Sequence, residues 1–125
     1  MKNIILTNKA PAPIGPYSQG IEANGFIFFS GQIAIDPAVG KIVATDVEGQ
    51  TRQVLANISA LLSSVSLTPA AVVKTTVFVK DIGDFAKVNA IYAEMFGIEP
   101  PARSCVEVSA LPSGALVEIE VIAVK

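Results

Sequence analysis

The sequence predicts a mixed β-sheet carrying two helices on one face, built as a single domain over residues 1–125. Three observations lead there. Two short apolar runs flank Asn24-Gly25, the strongest two-residue hairpin signal because both positions tolerate positive φ. Farther on, the apolar period switches twice to helical spacing, with β-branched runs between and after. Finally, hydrophobic residues make up 51% of the chain, charged residues only 16%, and the mean hydropathy is +0.56. Soluble domains average about 25% charged residues, so this chain has more apolar surface than its own core needs.

Pro11, Pro13, Gly15 and Pro16 make an ordered loop leading directly into Tyr17. Ile21–Ala23 and Phe26–Ser30 form the hairpin arms. A second turn, Asp36–Gly40, links 32–35 to 41–44. Val54, Leu55, Ile58, Leu61, Leu62 and Val65 then repeat at helical spacing, with Asp46 as N-cap, Glu48 near the positive end of the dipole, and an end near Ser66. Val72–Lys80 is β-branched and reads as a strand. Asp81–Asp84 is a turn, and Asp84 is expected to cap a second helix running through Phe96. That helix carries the stripe Phe85, Val88, Tyr92, Met95 and Phe96, and Gly97 is its expected C′ residue. Pro100-Pro101 stops any helix, and 103–108 and 117–124 are the last strands. Two helices among these strands cover one face of the sheet. The other face calls for subunit packing, so a homo-oligomer is expected.

Composition removes much chemistry. There is no histidine, which excludes a Ser-His-Asp triad, a Cys-His pair, an imidazole base and a histidine-ligated metal. One cysteine makes no internal disulfide and no cysteine-rich zinc or iron–sulfur site, so a reducing cytoplasm is the expected compartment. The net charge is −2, and the nine basic residues are scattered with only two arginines, Arg52 and Arg103, which disfavours nucleic-acid binding. The longest uncharged stretch, 53–73, carries Asn57 and five serines or threonines before Pro69, and is a poor membrane helix. The first residues have neither the long apolar core nor the cleavage site of a signal peptide.

Reactive roles must then fall to carboxylates, Lys, Arg, Cys, Tyr, Ser and water. Strand alternation puts Arg103, Cys105 and Glu107 on one face of their strand, and Glu118 and Glu120 on one face of theirs. An arginine and two carboxylates on neighbouring strands of so apolar a segment suggest a polar pocket: arginine holds a carboxylate bidentately, and a glutamate orients or deprotonates a water. The plainer alternative is a structural cross-strand pair or an oligomer salt bridge. Cys105 fits a small buried hydrophobe, Tyr17 a packing residue, Ser30-Gly31 a strand end open to close backbone approach, and Asn89 a solvated helix residue.

The same residues carry a family likeness. Gly15-Pro16-Tyr17-Ser18-Gln19, Ser30-Gly31-Gln32, Val88-Asn89-Ala90-Ile91-Tyr92, the run from Pro101 to Val108 and the run from Glu118 to Val124 together resemble the reactive intermediate deaminase (Rid) family, RidA subgroup, in order along the chain. The resemblance implies an α+β, chorismate-mutase-like fold and a homotrimer with a barrel-like core and a cleft at each interface. It implies hydrolysis, without a cofactor, of 2-aminoacrylate/2-iminopropanoate and 2-iminobutanoate to 2-keto acids and ammonia. Pyridoxal-phosphate-dependent dehydratases acting on serine or threonine would release those substrates. By resemblance Arg103 clamps the substrate carboxylate, Glu118 positions the attacking water, and the Cys105 backbone contacts the bound acid. Tyr17, Ser30, Gly31 and Asn89 line the cleft, some from a neighbouring subunit. Gly20 stands where alanine is commoner, and Ser109-Ala110 lacks a basic residue often found there. Two other roles stay open on the sequence: a non-catalytic binder of 2-keto or amino acids, and an endoribonuclease or translation inhibitor, which the charge disfavours.

Overall fold

The computed structural model describes residues 1–125. Strands β1 (Asn3–Ile5), β2 (Gly20–Ala23), β3 (Phe26–Phe29), β4 (Ile35–Asp36) and β5 (Lys41–Ile42) precede helix α1 (Val47–Ser64). Strand β6 (Val72–Val79), helix α2 (Phe85–Phe96), β7 (Ala102–Glu107) and β8 (Val117–Val124) follow. The main sheet has six strands in the order β1-β2-β3-β8-β6-β7, and β4 and β5 form a separate ribbon. All main-sheet pairs are antiparallel except β6 with β7, a parallel pair that needs a crossover, which α2 supplies.

Local chemistry explains most boundaries. Asn24 and Gly25 both take positive φ, 53° and 80°, and close the β2–β3 hairpin as a two-residue turn. The Asp46 carboxylate accepts from the Gly49 N–H at 3.0 Å and caps α1. The helix ends at a left-handed Ser66, φ 60°, where the Ser66 and Leu67 N–H groups return to the Ser63 and Leu62 carbonyls at 3.0 and 2.9 Å. That double closure is a Schellman motif.

Several expectations need correction. Asp84 stands at the start of α2 but its side chain makes no capping bond; Asp81 instead accepts from the Gly83 N–H at 2.8 Å, because a turn of 3-10 helix already leads the chain in. Gly97 keeps a right-handed φ of −71°, and the left-handed residue is Glu99, φ 46°. The three-residue β1 was not anticipated. The expected pairing of 32–35 with 41–44 shrinks to β4 and β5, because Gln32 bridges to Ile119 of β8.

Both helices pack on one face. Ile58, Leu61 and Leu62 of α1 and Val88, Ile91 and Phe96 of α2 close over Ile27, Val77, Val79, Ile119 and Val121 of the sheet. The opposite face is uncovered. Register places Ile4, Phe26, Phe28, Val106, Ile122 and Val124 there, with the first four 68%, 44%, 45% and 44% exposed. Covering each phenylalanine would contribute on the order of 2 kcal/mol, and contiguous apolar patches of this kind mark association surfaces. No helix is long and apolar enough to cross a membrane.

Candidate active site

Glu118 and Glu120 lie on the uncovered face, where β8 leaves the hairpin, and open into a cleft of about 420 Å³. Tyr17, Ser30, Gly31, Ile14, Ile33 and Pro112 complete its walls. The proline-rich N-terminal wall lacks regular hydrogen bonding, so its carbonyls need another donor. Gln19 supplies it. This buried side chain, 2% exposed, accepts from the Thr7 N–H at 2.7 Å and donates to the Thr7 and Pro11 carbonyls at 2.9 and 2.8 Å. Tyr17, anchored two residues away, stays half exposed in the cleft.

Ser30 donates its hydroxyl to the Ser18 carbonyl at 2.6 Å, tying the hairpin end to the same wall. Gln32 then pairs with Ile119 through both backbone groups, at 2.8 and 3.1 Å. This pairing lays Gly31 flat against Glu118, so closely that a Cβ on Gly31 would overlap the carboxylate. Glycine here provides close approach rather than an unusual backbone angle. The Glu118 carboxyl has no cation beside it. Burial raises its pKa above the usual glutamate range, and the Glu120 charge raises it further.

Arg103 is elsewhere. The sequence reading placed it on a strand beside the two glutamates; instead β6 separates β7 from β8. The strands are two spacings apart, about 10 Å. Arg103 pairs in register with Thr75, on the helix-bearing face, whereas Glu118 pairs with Phe78 on the uncovered face. Within one chain there is therefore no Arg103–glutamate pocket and no cross-strand pair between them. Arg103 instead rests on α2: Nη1 donates to Asn89 Oδ1 at 2.6 Å, and the guanidinium carbon sits 5.4 and 4.8 Å from the centroids of the Phe85 and Tyr92 rings. Asn89 is thus a partner of the arginine rather than a free solvated residue.

Cys105 packs its side chain against the core, and burial pushes its thiol pKa up, with Arg103 pulling weakly the other way. It is no activated thiolate. Glu107, on the same face as Arg103, accepts from the Ile82 N–H at 2.9 Å and serves the turn before α2. No group of three or more potential metal-ligating side chains comes together. The sequence reading missed the bracing roles of Gln19 and Gln32 and read Phe85 and Tyr92 as core alone. The signal available for the last two was a polar Asn89 inside an apolar stripe at spacing 85, 89, 92, one helix face.

Fold and geometry define an α+β domain whose cleft holds an uncompensated carboxylate and whose Arg103 stands partly exposed on the far side of the sheet. The profile of the family described as Endoribonuclease L-PSP matches residues 7–125. A Rid-family protein of unknown function from Yersinia pestis has a solved structure similar to this one at TM-score 0.97, with 55% identity and full coverage of both chains. The structure of E. coli TdcF with bound serine is similar at TM-score 0.92 and 42% identity, covering 98% of each chain. The 2-iminobutanoate/2-iminopropanoate deaminase of Salmonella typhimurium is 49% identical over 128 aligned positions, 100% of this chain and 99% of that one. The chain belongs to the Endoribonuclease L-PSP family, among its Rid proteins.

Proposed function

We propose that this protein hydrolyses 2-aminoacrylate/2-iminopropanoate and 2-iminobutanoate to 2-keto acids and ammonia, in a cleft that neighbouring subunits of a homotrimer complete together. One observation carries the reading: Glu118 is held unpaired against Gly31 while the matching cation, Arg103, faces away from it on the same chain. A second copy seated on the uncovered apolar face can bring an Arg103 to a Glu118. The name of the Salmonella relative supports the substrate class.

The chemistry suits these groups. An enamine first tautomerises to the imine, which is electrophilic at C2 once protonated. Arg103 takes the substrate carboxylate with its remaining N–H donors, fixing C2 over the cleft. Glu118 accepts a proton from water as the oxygen bonds to C2 and the C=N π pair moves to nitrogen. The carbinolamine then collapses: the nitrogen takes the proton that Glu118 received, the C–N bond breaks as the hydroxyl gives its proton to Glu118 and C2 becomes a carbonyl, and the departing ammonia takes that second proton from Glu118. Iminium plus water gives ketone plus ammonium, with no redox change and no cofactor. Tyr17 and Ser30 shape the water-facing wall. The Cys105 backbone belongs to an edge strand whose outer groups have no strand partner, and can contact the bound acid. Pyridoxal-phosphate-dependent serine or threonine dehydratases in the cytoplasm would supply the substrate.

The direct test adds the protein to a threonine dehydratase and follows 2-oxobutanoate release. Acceleration over spontaneous hydrolysis is expected; an unchanged rate would overturn the assignment. The acting form of Glu118 is the carboxylate, so kcat/KM should fall as acid protonates it, at a pH set by the burial and Glu120 charge that raise its pKa within one chain and by the Arg103 of a neighbouring subunit that lowers it. Glu118→Gln should give a low profile without that limb. Gly31→Ala should swing the carboxylate aside at little cost to folding, since the clashing atoms end a flexible side chain. We expect hydrolysis to drop about a hundredfold, the scale of a 1 Å misplacement, with a nearly unchanged melting temperature.

The serine in TdcF favours a second reading, a binding protein for small amino or 2-keto acids. Calorimetric binding of 2-oxobutanoate with no effect in the dehydratase assay would support it instead.

A further inference from the structure

Arg103 is a long cation on an edge strand, yet three side chains of α2 hold it in one place. We propose that Tyr92, locked by Thr75, is the positioning residue that aims Arg103. This rests on the reading of Arg103 as the carboxylate clamp. The Tyr92 ring lies 4.8 Å below the guanidinium carbon, and its hydroxyl bonds the Thr75 hydroxyl at 2.7 Å in a fully buried contact. Thr75 is also the residue that pairs with Arg103 in register between β6 and β7. The strand partner of the arginine therefore fixes the ring that supports the arginine, and α2 cannot shift against the sheet without breaking that bond.

The arrangement exceeds what packing requires. Tyr92 is 5% exposed and its ring lies 4.8 Å from that of Phe96 at a 42° tilt, so a phenylalanine would fill the same core space. A buried tyrosine hydroxyl is acceptable only with a partner, and here the partner is the one side chain coupled to Arg103 by strand pairing. Asn89 fixes the Nη1 edge from the side, at 2.6 Å. With Nη1 bonded to Asn89 and two rings against the guanidinium, the cation is set in place before a ligand arrives. Presetting a flexible cation removes part of the ordering cost from ligand binding.

Three variants test this: Tyr92→Phe and Thr75→Val, which lose only the lock, and Tyr92→Leu, which loses the ring. Two readouts are followed, the affinity for 2-oxobutanoate by titration and the Arg103 Nε–Hε signal by NMR. Turnover at saturating imine and the melting temperature are measured alongside. In Tyr92→Leu, affinity should fall about tenfold, the scale of a partly desolvated cation–π contact. Turnover should stay within about twofold of the wild type, and the Arg103 signal should lose its ring-current shift. Tyr92→Phe should recover most of the affinity relative to leucine, and Thr75→Val should match Tyr92→Phe. An unmoved Arg103 signal, or wild-type affinity in Tyr92→Leu, would overturn the proposal. So would losses in affinity and turnover that merely follow the unfolded fraction. Wild-type hydrolysis by Arg103→Ala would sink the clamp reading instead, and the NMR signal would still decide whether Tyr92 positions the arginine.

Discussion

Arg103→Ala is expected to lower imine hydrolysis at least about a hundredfold, because removing one member of a close charge pair costs 2–5 kcal/mol. The fold should survive. The arginine is partly exposed on an edge strand, and what it gives up within the chain is one bond to Asn89 and contact with two rings. Losses of that kind are about 1 kcal/mol, a shift of less than about 5 °C in melting temperature for a chain of this size. Arg103→Lys keeps the charge but not the planar fork, so it should fall between alanine and wild type. The dehydratase-coupled assay and a thermal melt on the same preparations separate the two effects. Equal rates for wild type and Arg103→Ala would remove Arg103 from the reaction.

Apart from the short β1, the main strands and helices were legible in the sequence because most have a local cause. The Asn24-Gly25 turn, the Asp46 cap and the end of α1 at Ser66 follow from residues within one turn of themselves. The uncovered face was legible too, since its phenylalanines and isoleucines had to go somewhere. Strand adjacency was not legible. Consecutive strands are neighbours about two-thirds of the time, and that prior sets β7 beside β8. Here α2 crosses over to lay β7 parallel to β6, and β8 returns between β6 and β3. One inserted strand moved Arg103 off the glutamates and, through register parity, onto the opposite face. The candidate residues were therefore identifiable one at a time, from motifs and resemblance, while their grouping was a non-local property.

That separation changes how the site must work. Glu118 gains nothing from Arg103 within its own chain, and its elevated pKa reflects burial beside Glu120 with no cation to offset it. Arg103, for its part, pairs with no acid of its own chain. On the proposed reading each is half of a site. The apolar face supplies the means of joining them: the glutamates sit on it, while β7 with Arg103 forms the edge of the same sheet. A cyclic trimer has heterologous interfaces, in which one surface of a subunit meets a different surface of the next. Such an interface puts the edge of one sheet against the open face of another, which a twofold dimer would not repeat around a ring.

Two inactive variants should therefore restore each other. Arg103→Ala and Glu118→Gln are each expected to be inactive alone. Co-refolded in equal amounts, they form mixed trimers in which each cleft draws its arginine from one subunit and its glutamate from the next. Random assortment leaves about a quarter of the clefts with both native groups, so activity should return to about a quarter of wild type. Varying the input ratio adds a sharper criterion, because the recovered activity should follow the product of the two fractions and peak at an equal mixture. Contamination by wild-type protein would give a straight line instead. If both groups act from a single chain, no mixture contains an intact cleft and activity stays at background at every ratio. That result would refute the shared site while leaving the two single substitutions fully explained. Recovery at the expected level would establish that β6, lying between β7 and β8, forces the chemistry out to the subunit boundary.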